Sequence, residues 1–255
     1  MHEMHKTANK DSHQLFGIRP LMEAIWAGKG IDKIFIQKGL KGDNSAELLA
    51  LLREYDLPYN LVPIEKLNRL TRKNHQGVFA FLTEVEFQRI DDLLPILFEQ
   101  GEEPLIVLLD KVTDVRNFGA IARSAECLGA HAIVIPTRNA APASGDAVKT
   151  SAGALLRLPI CRESNLKESI QFMRNSGLRI IGCTEKGASS LYDTDLTGPM
   201  CIILGSEEDG ISPEYLKMCD EKAFIPMKGE TASLNVSVAS GILLSEISRQ
   251  RNLSI

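Results

Sequence analysis

The run Leu105-Ile-Val-Leu-Leu-Asp110 constrains the fold of this 255-residue chain more than any other stretch. Five consecutive apolar residues closed by an acid leave no polar face, the pattern of a strand buried on both sides of a parallel sheet. The residues after Asp110 keep the alternation. Ile121, Ala125 and Leu128 form an inward stripe that predicts a helix opened by Asn117 as its N-cap and stopped at Gly129. Ala132-Ile-Val-Ile-Pro136 reads as the next strand. Helices near 146–156 and 166–175 then alternate with strands near 159–161 and 179–183. Strands at 201–204 and 223–226 bracket a helix entered through Ser212-Pro213, and a last helix covers 236–251. Alternation of this kind predicts an α/β fold with a mostly parallel sheet covered on both faces.

A second, smaller α/β pattern lies upstream. Strands at 33–37, 59–62 and 75–82 alternate with helices at 21–26, 44–55 and 64–70. The chain therefore divides into a polar, flexible tail over 1–12, a small domain over 13–84, an acidic linker over 85–103 and a larger domain over 104–255. A helix is expected within that linker at 90–99.

The five cysteines are odd in number and scattered, with no Cys-x-x-Cys pair, so they read as buried thiols in a reducing cytoplasm. They form neither a zinc site nor a disulfide frame. No apolar run reaches the length needed to span a bilayer, and the first dozen residues lack the apolar core of a signal peptide. A formal charge of −4 gives no whole-chain sign of nucleic-acid binding. Locally the balance reverses: Lys66, Arg69, Arg72 and Lys73 lie in a stretch without an acid. A run this short is more often a solvated helix face than an RNA contact.

Three polar loops follow apolar strands in the larger domain. They hold Asp114-Val-Arg-Asn-Phe-Gly-Ala-Ile-Ala-Arg123, Leu204-Gly-Ser-Glu-Glu-Asp-Gly-Ile211 and 225–238. Open parallel sheets bind ligands beyond the carboxyl ends of their strands, so three such loops predict one composite site and an enzyme. The familiar cofactor signatures are absent: no G-x-G-x-x-G after the first strand, no P-loop and no G-x-S-x-G elbow. Asn117, Arg123, Glu207, Ser233, Asn235 and Ser237 supply a cation, amides, a carboxylate and hydroxyls, a set suited to positioning a polar substrate without a metal. Taken singly, Arg123 reads as a surface arginine paired with Glu126, and the polar groups of the last loop as helix caps.

In order and spacing, Asn117-x-Gly119-x-x-x-Arg123, Leu204-Gly-Ser-Glu-Glu-Asp-Gly210 and Ile225-Pro-Met…Ser233-Leu-Asn-Val-Ser-Val-Ala239 resemble the three motifs of the SpoU-type RNA ribose 2′-O-methyltransferases, of the SPOUT class. Leu15-Phe-Gly-Ile-Arg-Pro-Leu-Met-Glu-Ala24 and Asn74-His-Gln-Gly-Val78 resemble the L30e-like RNA-binding domain attached to the family's ribosomal members. The resemblance implies a trefoil knot in the larger domain, S-adenosylmethionine as cofactor and a homodimer that completes the site. It implies methylation of a ribose, most like that of a guanosine in 23S ribosomal RNA, with transfer RNA as the nearest alternative and a non-catalytic assembly factor as the other.

By the same resemblance Gly205, Ile225, Leu234 and Thr184 hold the cofactor, while Asn117, Arg123, Glu207, Ser233, Asn235 and Ser237 are catalytic. Asn117 would hold the ribose or orient Arg123, and Glu207 would fix Arg123 or a loop. Lys66, Arg69, Arg72 and Lys73 would meet the RNA. A guanidinium stays protonated at working pH, so Arg123 is expected to stabilise a developing alkoxide and grip a phosphate. The family's frequent proline is replaced by Val115, which leaves open what stiffens the turn before Asn117.

Overall fold

A computed structural model describes residues 14–55, 57–83, 85–185, 187, 189–230 and 233–253. The chain falls into two compact units that meet in sequence between Glu86 and Phe87.

In the first unit, strands β1 (Gln14–Phe16), β2 (Ile31–Gln37), β3 (Tyr59–Val62) and β4 (Val78–Leu82) form one sheet in the order β1-β4-β2-β3. β4 runs antiparallel to both β1 and β2, whereas β2 and β3 are parallel. Period-2 patterning sorts the core. Ile34, Ile36, Val78 and Ala80 pack with Leu21, Met22 and Ile25 of helix α1 (Ile18–Trp26) and Leu48, Leu51 and Leu52 of α2 (Asp43–Glu54). Phe35 and Phe79, one register step away, pack with Val62 and with Leu67 of α3 (Ile64–Leu70). The chain enters β4 through Gln76 and Gly77, both at positive φ, so the predicted strand loses its first three residues to a turn.

The second unit contains β5 (Phe87–Gln88), α4 (Ile90–Glu99), β6 (Leu105–Leu109), α5 (Val115–Cys127), β7 (Ala132–Pro136), α6 (Gly145–Thr150) and β8 (Ile160–Glu163). It continues with α7 (Leu166–Asn175), β9 (Arg179–Cys183), β10 (Ser189–Ser190), β11 (Met200–Leu204), α8 (Pro213–Leu216), β12 (Glu221–Phe224) and α9 (Val236–Leu253). Its eight strands lie in the order β10-β12-β9-β11-β6-β7-β8-β5, every pairing parallel. The α/β fold with a parallel sheet is thus as expected. β6 is buried along its whole length. The helix expected over 146–156 is shorter, because Ala152 and Gly153 take positive φ and break it into α6 and a 3-10 turn at Ala154–Leu156.

The stretch read as a linker, 85–103, behaves otherwise. β5 pairs with β8, and Ile90, Leu93, Leu94 and Leu97 of α4 are buried with Ile106, Leu108 and Val134 of the second core. The carboxylate of Glu163, on the strand next to β5, caps α4 by accepting the Ile90 N–H at 2.8 Å. Burial raises the Glu163 carboxyl above its ordinary range, opposed by that N–H and by Arg89. Only Val85 and Glu86 of the expected linker belong to the first unit. No helix among the described residues is long and apolar enough to cross a membrane.

Candidate functional site

Sheet register places the loops. Leu109 pairs with Leu204, so the segments that leave β6 and β11 start side by side. Cys183 pairs with both Leu204 and Ala223, which adds the ends of β9 and β12 to the same edge. β6 has β11 on one side and β7 on the other, the strand-order reversal at which open sheets accept ligands.

The first loop is built by two aspartates. Asp110, 3% exposed, accepts the Ser212 N–H at 2.6 Å and so pins the far end of the second loop. Asp114 caps α5, its Oδ1 accepting the N–H groups of Arg116 (2.9 Å) and Asn117 (2.8 Å). The cap is therefore Asp114, not Asn117 as expected, because an acid three residues earlier satisfies the first-turn donors. Val115 then sits at the first helical position, the place proline favours, and the Asp114 cap holds the backbone N–H groups of the two residues that follow it. Asn117 is left free to point its amide elsewhere.

The second loop turns back on itself at Gly205. A Cβ there would lie 2.0 Å from the Gly210 carbonyl carbon and 2.2 Å from the Ile211 nitrogen, so only glycine lets the backbone close. Gly210 N–H donates to the Ser206 carbonyl at 3.0 Å, and Asp209 N–H to the Ser206 hydroxyl at 3.1 Å.

One polar chain ties the three loops together. Asn117 Nδ2 donates to Glu207 Oε1 at 2.9 Å, and Asn235 Nδ2 donates both to Asn117 Oδ1 at 3.1 Å and to Glu207 Oε1. Asn235 Oδ1 in turn accepts from the Ser237 backbone N–H at 3.0 Å and from its hydroxyl. Four of the six residues singled out in the sequence are thus joined. Ser233 stands outside the chain of hydrogen bonds and lines the neighbouring cavity.

Arg123 is not among them. Its side chain is exposed and has no hydrogen bond or ion pair among the described residues. The partner that spacing alone suggests for it, Glu126, is held by Arg157 at 2.8 Å, which draws the Glu126 carboxyl below its ordinary range. Glu207 and Asn117 bind each other and not Arg123, so of the two roles expected for Glu207 it ties loops together and does not hold Arg123. Asn117 and Arg123 are six residues apart on one helix and face different ways. Gly119, one turn before Arg123, packs against α6, where a Cβ would sit 2.7 Å from Thr150 Cβ.

A cavity of about 310 Å³ opens beside the network and shares Glu207 with it. All four residues assigned to the cofactor by resemblance, Thr184, Gly205, Ile225 and Leu234, line it. Leu204, Phe224 and Leu243 add apolar wall. Its size falls at the lower end of the ~300–1,000 Å³ typical of small-molecule sites. Cys183 also lines the cavity, and burial pushes its thiol up to about 12, so it presents a neutral surface. Sequence reasoning missed Asp110, Asp114, Cys183 and the acids Glu185, Glu208 and Asp209 of the cavity wall. The one signal for the first two was position, an acid at the end of a strand or just before a helix.

In the first unit, Lys66, Arg69, Arg72 and Lys73 are all exposed. Lys66 Nζ lies 4.9 Å from the centre of the Phe35 ring and Lys73 Nζ lies 5.0 Å from that of Phe16. His75 is buried, bonded to Asn68 Oδ1 at 2.9 Å and accepting the Gly77 N–H at 3.0 Å, so it shapes the turn before β4.

Residues 104–245 match the SpoU rRNA Methylase family, and residues 14–88 match the family described as RNA 2′-O ribose methyltransferase substrate binding. The chain is 34% identical over 243 residues to a protein of Mycobacterium sp. (strain KMS) named an uncharacterized tRNA/rRNA methyltransferase, covering 94% of this chain and 77% of that one. The SpoU methyltransferase AviRb from Streptomyces viridochromogenes, solved with AdoMet, is similar at TM-score 0.59 and 26% identity, over 99% of this chain and 96% of the other. An AdoMet-bound rRNA methyltransferase from Sinorhizobium meliloti is similar at TM-score 0.59 and 25% identity, over 93% and 87%.

Proposed function

The chain belongs to the SpoU family of RNA 2′-O-ribose methyltransferases, and on that premise we propose that it methylates a guanosine ribose in 23S ribosomal RNA in the cytoplasm. It is an S-adenosylmethionine-dependent RNA methyltransferase with a substrate-binding domain in front of the catalytic one. The observation that carries the reading is the hydrogen-bonded chain Asn117–Glu207–Asn235–Ser237 beside the cavity that Thr184, Gly205, Ile225 and Leu234 line. We extend the proposal to a homodimer and to the family's trefoil knot.

The residues present fit the cofactor. The cavity combines apolar wall for a nucleoside with a glycine turn that brings backbone close, and Glu207 joins it to the polar network. Bound there, S-adenosylmethionine supplies an electrophilic methyl carbon. The residues of this chain do the rest by alignment, since holding reacting groups in line removes most of the entropic barrier. Asn117 and Asn235, locked on Glu207, offer fixed dipoles to the ribose. Ser237 holds the Asn235 carbonyl and so fixes which way its amide points. Arg123, charged and without an intramolecular partner among the described residues, is available to an RNA phosphate and to the oxyanion formed as the 2′-hydroxyl loses its proton. A partner subunit bringing its own loops to Arg123 is what the dimer would add. Lys66, Arg69, Arg72 and Lys73 would meet backbone phosphates of the same RNA.

The choice of ribosomal over transfer RNA rests on the description of the family matched at residues 104–245 as an rRNA methylase family and on the Sinorhizobium neighbour's description as an rRNA methyltransferase. Labelled methyl transfer to unmodified 23S ribosomal RNA and to unmodified transfer RNA separates the readings. One labelled ribose in 23S RNA is expected. Label in transfer RNA alone would move the substrate there, and cofactor binding without turnover on either RNA would favour the assembly-factor alternative.

A further inference from the structure

Among the described residues, the charged side chains that line the cofactor cavity are of one sign. Glu185, Glu207, Glu208 and Asp209 line it, and among the described residues no lysine, arginine or histidine does. None of the four carboxylates makes an ion pair among the described residues. Glu207 is held by the amides of Asn117 and Asn235, and Glu185 Oε2 accepts the Thr184 hydroxyl at 3.5 Å. Glu208 and Asp209 are exposed on the turn that Gly205 and Gly210 close. Like charges gathered at one concave surface repel each other, and walls of Leu204, Ile225 and Leu243 focus their field into the cavity. A cation entering the cavity relieves that repulsion, and a neutral ligand of the same shape does not.

Resting on the cofactor reading above, we propose that these carboxylates are a charge filter: they favour the sulfonium form of the adenosyl ligand over its thioether product, with Glu208 and Asp209 as specificity-determining residues. The charge change follows from the reaction. The ribose oxygen forms the new C–O bond, the C–S bond breaks with its electron pair left on sulfur, and the hydroxyl proton goes to solvent. One positive charge thereby leaves the ligand. The attraction that favoured loading is lost at the moment of turnover, and the spent ligand leaves a site that no longer suits it.

Calorimetric titration of the full-length protein with S-adenosylmethionine, S-adenosylhomocysteine and sinefungin tests this. Sinefungin carries an ammonium where the sulfonium stands, so both cationic ligands are expected to bind more tightly than the thioether. Exposed carboxylates acting across water give modest attractions each, so the preference is roughly three- to tenfold at low salt and shrinks as salt rises. In the double variant Glu208→Gln/Asp209→Asn the thioether affinity stays as it was and the preference for cations falls toward one. Glu208→Asp, which keeps the charge, retains the preference. Equal affinity for all three ligands in the native protein, or a double variant that loses affinity for all three alike, overturns the filter while leaving the cofactor reading intact. Failure of the native protein to bind any of them overturns both.

Discussion

The two units handle their polar residues in opposite ways. In the second, Asn117 at the start of α5 lies 90 positions from Glu207 and 118 from Asn235 in the chain, yet the three bond directly to one another. In the first, Lys66, Arg69, Arg72 and Lys73 are sequence neighbours on the surface, and Lys66 and Lys73 rest over the rings of Phe35 and Phe16. A network closed by the fold is pre-organised and sensitive to single changes. Surface cations act through summed charge, so their effects are graded and screened by salt. Arg123 is the instructive exception: it lies in the second unit but, like the surface cations, is exposed and stands outside the hydrogen-bonded network.

The contrast can be broken by substitution. Arg123→Ala is expected to lower the single-turnover methylation rate by about 10²–10³-fold, the usual loss when one group that stabilises a developing oxyanion is removed. Cofactor affinity should be unchanged, because Arg123 does not line the cavity. Rates within threefold of native would remove Arg123 from the chemistry.

Gly205→Ala should weaken cofactor binding by roughly tenfold or more, since overpacking a closed turn costs about 1–3 kcal/mol. The added methyl has only backbone to displace, so no rotamer relieves it. Titration calorimetry reads the loss, and native affinity would mean that the turn does not shape the cavity.

Replacing Lys66, Arg69, Arg72 and Lys73 together by Ala tests the first unit. RNA affinity should fall by roughly tenfold near physiological salt, and the slope of log affinity against log salt should drop by about 0.7–0.9 for each phosphate no longer neutralised. Filter binding across salt concentrations reads both, while cofactor affinity stays constant. Weaker binding with an unchanged slope would point to misfolding of α3, not to phosphate recognition.

The smallest effect concerns the thiols. Burial raises Cys161 and Cys183 to about 12 and Cys219 to about 11, and it also raises Cys201. A raised value means less thiolate at pH 8, so these four should resist alkylation while the exposed Cys127 labels first. Mass spectrometry of the alkylated peptides checks the order, and Cys127→Ser should remove the fast phase without changing methylation.

Much of the fold was legible in the residues. The apolar run of β6 and the alternation after it announced a parallel sheet, and the three loops of the composite site do share one sheet edge. Strand order was not legible, because β6 pairs with β11, 95 residues later, and no local pattern encodes that register. The same blindness made a linker of 85–103: the apolar stripe of α4 was visible, but its partners on β6 and β7 and its cap Glu163 come from elsewhere in the chain. Within the site, Asn117 looked like a cap because its type suits one, and Asp114 took the role by standing where the first-turn N–H groups point. Arg123 looked paired because Glu126 was near in sequence, and Arg157, 31 residues from Glu126, claimed it instead.

The measurement that bears most directly on the central claim is the position of the transferred methyl. RNA methylated by the native protein with labelled S-adenosylmethionine is hydrolysed in alkali and its products are separated. Methylation of a ribose 2′-oxygen blocks cleavage at that phosphodiester, so the label is expected in a single alkali-resistant dinucleotide. Label released in a mononucleotide would place the methyl on a base and contradict the account.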